Sequence, residues 1–204
     1  MDIDIQSAPV SAVIFIVTIA ASLYGLLYNR QFVGRFLLHP WSVVHRGRWY
    51  MPITSGFLHA DFMHLIFNMM TFYFFAFPLE EIIGSTRFFI VYFGSMVLAD
   101  VTCIIRNYED PEYRSLGASG AVSGVIFSVI LFAPTAQLGM LFVPVPMPAY
   151  VFALLYLAFS YFASKKNYDM TNHEAHFWGA VAGVILTVAM IPESINIFIN
   201  ELGF

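Results

Sequence analysis

The sequence predicts an all-α, polytopic membrane protein with six transmembrane helices. Three observations carry that prediction. The composition is too apolar for a water-soluble core, six nearly uncharged stretches approach the length of a membrane span, and none of them alternates as a barrel strand must. Of 204 residues, 59% are hydrophobic and 11% charged, and the mean hydropathy is +0.75. So little charge cannot cover a soluble domain of this size. A hydrocarbon layer about 30 Å thick takes about 20 apolar residues as a helix. Runs near that length extend from Pro9 to Tyr28, Phe62 to Leu79, Phe88 to Ile105, Leu116 to Ala133, Pro148 to Ala163 and Ala175 to Ile191. They are apolar at nearly every position, whereas a barrel strand would alternate over about ten residues.

The first run is preceded by Asp2 and Asp4 rather than a basic start and a small-residue cleavage site, so it reads as a retained span. About 30 residues follow, from Asn29 to Asp61, in which Phe32, Phe36, Leu37, Leu38, Trp41, Val43, Val44, Trp49 and Tyr50 alternate with Arg35, Arg46 and Arg48. That mixture suits an interfacial first loop lying in the headgroup zone, the alternative being an ordinary loop with scattered aromatics. Asp61 can cap the second run. A tight Glu80–Arg87 link leads to the third, and polar residues from Arg106 to Ser115 lead to the fourth. A Pro-rich apolar link, Pro134 to Met147, precedes the fifth, and a polar loop from Ser164 to Glu174 precedes the sixth. No linker or repeat divides the chain, so residues 1–204 are expected to form one domain.

Because spans are crossed in alternation, the first, third and fifth loops share one side of the membrane. The second, fourth and sixth helices then start from that side and run parallel, with their first turns at similar shallow depth. Polar residues inside spans are costly and mark function, and they cluster at these starts. The second helix opens Asp61-Phe62-Met63-His64 and continues to Asn68, with His64 and Asn68 four apart on one face. The fourth opens Gly117-Ala118-Ser119-Gly120. The sixth opens Thr171-Asn172-His173-Glu174-Ala175-His176, where Thr171 and Glu174 have capping-box spacing.

A hydroxyl, an imidazole and neutral hydrogen-bond donors are the parts acyl transfer needs. Serine becomes nucleophilic only when a base comes within about 3 Å of it, which demands close helices. Gly120 with Gly124, and Gly179 with Gly183, supply a small-xxx-small pair on each of two helices. Each piece has a plainer reading. Glycine pairs pack helices, a lone serine bonds back to its own turn, and His64 and Asn68 can tie helices together. The joint placement favours catalysis.

At these residues the sequence resembles the rhomboid family of intramembrane serine proteases, from the second helix to the sixth. His59-Ala60-Asp61-Phe62-Met63-His64-Leu65-Ile66-Phe67-Asn68 resembles the family's HxxxxHxxxN, Gly117-Ala118-Ser119-Gly120 its GxSG, and Ala175-His176-Phe177-Trp178-Gly179 with Gly183 its AHxxGxxxG. The resemblance implies a minimal six-helix, rhomboid-like bundle of the kind found in bacterial inner membranes. In it Ser119 attacks the scissile carbonyl and His176 serves as base and then acid, without a third carboxylate. It implies an oxyanion hole of His64, Asn68 and the Ser119 backbone N–H. His59 would brace the first loop, and Glu80, with Gly84 and Ser85, would pack the far end of the second helix. Substrates would be transmembrane helices admitted sideways from the lipid bilayer, with the fifth helix and the loop before His176 as gate and cap, and no cofactor.

Two departures from the family pattern stand out. Met51, in Trp49-Tyr50-Met51-Pro52, takes the place of an arginine, and Ser123 takes the place of an aromatic that in some members stacks on the catalytic histidine.

Other functions fit less well. A rhomboid-like pseudoprotease would bind membrane helices without cutting, but Ser119 and His176 are both present. A transporter needs a through-pathway, whereas the polar residues gather at one depth. Asp100 lies in the third span without a second carboxylate for aspartyl proteolysis, and reads as a neutral or hydrogen-bonded structural group near the third loop. His173 and His176 lack the four-residue spacing that sets two zinc ligands on one helical face, so no metal is expected. Lone Cys103 excludes an internal disulfide. The net charge of −4 provides no basic face, so no nucleic-acid partner is expected. No oligomeric state is read from the sequence. Of nine Lys and Arg, all but Arg87 fall in the first, third and fifth loops. The positive-inside rule would turn the catalytic openings to the cytoplasm. The resemblance implies the extracytoplasmic side, and an interfacial first loop blurs the charge count.

Overall fold

The computed structural model describes residues 6–140, 143–164 and 172–203. Helix α1 spans Pro9–Leu27 and is followed by three short first-loop helices: α2 at Arg30–Phe36, α3 at Pro40–Arg46 and α4 at Met51–Thr54. A 3-10 turn at Ser55–Phe57 leads to α5 at Phe62–Ile83, then α6 at Ser85–Asn107 and α7 at Ser119–Phe132. An antiparallel hairpin of β1, Gln137–Met140, and β2, Val143–Pro148, precedes α8 at Ala149–Ser164, α9 at His173–Met190 and α10 at Glu193–Glu201.

Local chemistry sets several boundaries. The Asn29 side chain accepts from Phe32 N at 3.0 Å to begin α2, and Asp61 accepts from His64 N at 2.8 Å to begin α5. The expected Glu80–Arg87 link shrinks to a single residue. Gly84, with φ of 79°, turns α5 directly into α6. Thr171, expected to open the sixth helix, lies outside the described residues. The cap there is Asn172, whose side chain accepts from Ala175 N at 3.0 Å, while Glu174 pairs with Arg106 at 2.9 Å.

Among the described residues, α1, α5 and α6 are long and apolar enough to cross a membrane, and α9 with α10, bent by 112°, makes a fourth if counted as one span. Helices α7 and α8 are shorter, at 14 and 16 residues. The fourth apolar run loses length because Leu116, Gly117 and Ala118 precede the helix, with Gly117 at φ of 125°. The Pro-rich link pairs with itself as a hairpin. The C-terminal α10 was not among the expected elements.

Helix α7 occupies the centre. It packs against α5, α6, α8, α9 and α10, and every residue from Gly120 to Ser128 is buried. Large apolar side chains such as Ile16, Phe74, Leu154, Phe159, Phe162 and Ile185 are instead exposed on the outside. Such a surface is untenable in water and natural in lipid. The inversion follows from the small residues. A Cβ on Gly179 would strike the Gly120 carbonyl, and one on Gly183 would strike that of Gly124, so α7 and α9 meet backbone to backbone. Below that seam Ser128 donates to the Gly124 carbonyl at 2.8 Å and accepts from Thr187 at 2.8 Å, a polar tie between the two helices.

The first loop is a folded cap over one end of the bundle. Leu38, Val43 and Met51 form a small apolar cluster with Cys103 and Ile104 of α6. Met51, the first of the two departures noted in the sequence, is thus a buried apolar anchor for the first loop. Leu38 and Ser115 exchange backbone hydrogen bonds at 2.9 and 3.0 Å, and Gly117 N donates to the Ser55 carbonyl at 3.1 Å. The segment leading into α7 is therefore strapped to the first loop.

Candidate active site

The strapped segment delivers Ser119 to the first position of α7, half-buried, while Ala118 before it is fully buried. The first N–H groups of a helix have no carbonyl partner within it, and the helix dipole is positive there. On the adjoining helix, His176 sits half-buried in the first turn of α9. No third helix stands between them, since Gly120 lies against Ala175, whose carbonyl would be 3.4 Å from a Cβ at residue 120. A small pocket lies beside Ser119, walled by Ser55, Asp100, Gly117, Ser119, Asn172 and Ala175, and His176 is not among its lining residues.

His64, in the first turn of α5, lays its ring against Gly117. A Cβ there would be 2.8 Å from His64 Cε1 and 2.9 Å from Nε2. Glycine at 117 thus lets the imidazole approach within two residues of Ser119. Asn68, one turn on, is buried and donates one amide N–H to the His64 carbonyl at 3.2 Å.

His59 is fully buried edge-on to His64, with centroids 4.8 Å apart. Its Nδ1 lies 2.9 Å from Ser22 Oγ, whose own proton goes to the Phe57 carbonyl. The imidazole is therefore the donor, and it joins the first loop to α1. Burial, together with the neighbouring His64, pushes the His59 pKa down to about 3 against a weaker pull from Asp61, so the ring is neutral. Asp100 accepts from Ser55 at 3.1 Å, the hydrogen-bonded role expected for it. Asn172 donates to Ser115 Oγ at 3.1 Å and to Cys103 Sγ at 3.2 Å, so the start of α9 is tied to the approach to α7. At the far end of α5, Glu80 is buried and accepts from Val10 N at 3.0 Å, Ser11 N at 2.6 Å and Ser85 Oγ at 2.6 Å. A carboxylate from one helix thus caps the start of another.

The rhomboid domain family model matches residues 46–193, well over half of the chain. This chain belongs to the rhomboid family. Among its relatives is YdcA of Bacillus subtilis (strain 168), which carries a rhomboid-protease name and is 33% identical over 150 residues, covering 74% of this chain and 71% of that protein. "Rhomboid protein 1, mitochondrial" of Saccharomyces cerevisiae is 29% identical over 140 residues, 65% of this chain and 39% of that one. "Rhomboid protease GluP" of Bacillus subtilis is 26% identical over 154 residues, 75% of this chain and 28% of that one. The chain thus spans well under half the length of the latter two. Family and apolar helices together make it an integral, multi-pass membrane protein.

The family setting makes the Ser123 departure informative. Tyr156, from α8, supplies an aromatic ring beside the α9 histidine. Its ring stacks on His176 with centroids 6.3 Å apart and planes 23° apart, and its hydroxyl lies 2.6 Å from Ser123 Oγ. Nothing in the sequence set Tyr156 apart from the many aromatics of the fifth run. Ser55 and the bridging role of Asn172 were equally silent, because the partners concerned, Asp100 and Ser115, lie more than 40 residues away.

Proposed function

We propose that this rhomboid is an intramembrane serine endopeptidase that cleaves transmembrane helices near a bilayer face, with Ser119 as nucleophile and His176 as general base. The reading rests above all on Ser119 beginning α7 and His176 occupying the first turn of α9, at the same end of two helices in backbone contact. His176 takes the proton as Ser119 Oγ bonds to the scissile carbon, then returns it to the leaving amine. Water repeats the attack on the acyl-enzyme. The oxyanion falls at the N-terminus of α7, where the Ser119 N–H, His64 and the second amide N–H of Asn68 converge as neutral donors. His59 braces the first loop, and Glu80 secures the opposite end. Gly117, Gly120, Gly179 and Gly183 supply the close approach.

In this reading residues 1–204 act as one domain in which α7 and α8 also span the membrane, α7 shielded from lipid by its neighbours and thus able to be short. The first loop rests in the headgroup zone. The catalytic end opens to the extracytoplasmic side of a bacterial inner membrane, and substrate helices reach it sideways past α8. A substrate helix must unwind locally, because its amides are shielded by their own turn. The polar walls of the pocket, Ser55, Asp100 and Asn172, offer partners for the hydrolytic water.

A fluorophosphonate probe tests the nucleophile without any substrate. Intact-mass analysis of detergent-solubilised protein is expected to show one adduct, mapped to Ser119 and lost in Ser119→Ala. Equal labelling of that variant, or an adduct elsewhere, would overturn the assignment. Labelling without cleavage of any transmembrane substrate would point to a helix-binding pseudoprotease.

A further inference from the structure

We infer that Tyr156 is a positioning residue for the proposed Ser119–His176 pair, holding both halves from the fifth apolar segment; the inference rests on the catalytic reading above. Ser123 Oγ donates to the Ser119 carbonyl at 2.8 Å, one turn back along α7. A hydroxyl has one proton, and it is used there, so the 2.6 Å contact to Tyr156 is a hydrogen bond donated by the phenol. The same ring lies nearly parallel to the His176 imidazole at 6.3 Å, within the range of offset stacking. One side chain of α8 thus reaches the backbone of the nucleophile through Ser123 and the ring of the base directly.

The arrangement has a mechanical consequence. Tyr156 is itself wedged by Phe127 of α7 and Phe152 of α8, each with centroids 5.6 Å away, so its position follows that of α8 against α7. When α8 is seated, the phenol pins the imidazole plane. When α8 swings out, the Ser123 hydrogen bond and the stack are lost together. The pair is therefore aligned only while α8 is closed against the bundle, and a serine at 123 is the residue small enough to leave the phenol its place.

The test compares Tyr156→Phe, Tyr156→Ala, and Tyr156→Ala combined with Ser123→Tyr, using the full chain in proteoliposomes with a model transmembrane substrate, and Ser119→Ala as reference. Tyr156→Phe keeps the stack but loses the hydrogen bond to Ser123, and is expected to lower kcat by an intermediate amount, about threefold to fivefold, with KM unchanged; a kcat equal to wild type overturns the link to Ser119. Tyr156→Ala removes both contacts and is expected to lower kcat about tenfold or more with KM changed less than twofold. Ser123→Tyr in that background places a phenol from α7 in the vacated space and is expected to recover at least half of the logarithmic loss. A loss confined to KM, or no recovery in the double variant, overturns the positioning role. Cleavage undiminished in Ser119→Ala refutes the catalytic reading instead, and is scored separately. The second measurement does not need activity. In 13C,15N-histidine-labelled protein, Tyr156→Ala is expected to shift the His176 ring resonances as the neighbouring aromatic ring is lost, and unmoved resonances overturn the stack itself.

Discussion

Gly179 of α9 lies directly against the carbonyl of Gly120 on α7, so closely that a methyl group on residue 179 would strike that oxygen. The obstacle is backbone, which cannot rotate away as a side chain can. Gly179→Ala is therefore expected to spread the two helices and to destabilise the protein by about 1–3 kcal/mol, the usual cost of overpacking. Thermal melts in detergent measure this. Gly139, which has open space around a Cβ, is the control, and Gly139→Ala should leave the melt unchanged.

Gly117 makes a second, separable demand. At φ of 125° a side chain is strained in any case, and here it would also press into the His64 ring. Gly117→Ala is expected to lower the rate of fluorophosphonate labelling at Ser119 about tenfold or more, because both the turn into α7 and the imidazole shift. A rate within twofold of wild type would show that His64 does not depend on this contact.

His59 gives the fold an acid sensitivity of defined sign. Its imidazole titrates near 6.5 when unfolded and about 3 when folded. Between those values the unfolded chain binds the proton more readily, so the stability present above pH 6.5 is lost as pH falls toward 3. The slope is at most about 1.4 kcal/mol per pH unit. Chemical or thermal unfolding from pH 7 to pH 4 is expected to show this loss in wild type. In His59→Gln the wild-type protein should keep its advantage at pH 7 and lose it at pH 4.

Glu80 tests whether the two ends of the bundle act independently. Removing the carboxylate strips hydrogen bonds from the buried Ser11 N and from Val10 N and Ser85 Oγ, which are partly buried, and Glu80→Ala is expected to cost about 2–3 kcal/mol of stability. Sixteen residues of α5 separate it from His64, about 24 Å of helix. Below the melting transition the rate of labelling at Ser119 should therefore stay within twofold of wild type.

The sequence made the long elements legible because a span is a local property, a run of apolar residues that needs no knowledge of its neighbours. The glycine pairs of α7 and α9 were readable for a related reason, since four-residue spacing on an apolar helix specifies close approach whatever the partner. Elements whose existence depends on packing were not readable. The first-loop helices α2, α3 and α4 are held by Leu38, Val43 and Met51 against α6, and the hairpin before α8 pairs with itself across prolines that argue against strands. Likewise α10, turned by 112° at Pro192, takes its place from contact with α7. At the site, His64, Ser119 and His176 were marked by their motifs. Tyr156 was hidden because an aromatic in an apolar run is indistinguishable from a lipid-facing one until the register of α8 against α9 is known.

In the proposed mechanism Ser119 and His176 cut peptide bonds together. The most direct measurement is cleavage of a model transmembrane substrate in proteoliposomes by wild type, Ser119→Ala and His176→Ala, with the products sized by mass spectrometry. Wild type is expected to make a single cut near one bilayer face, and each variant to lose at least a thousandfold in rate. Fragments formed at the wild-type rate by either variant would contradict the mechanism.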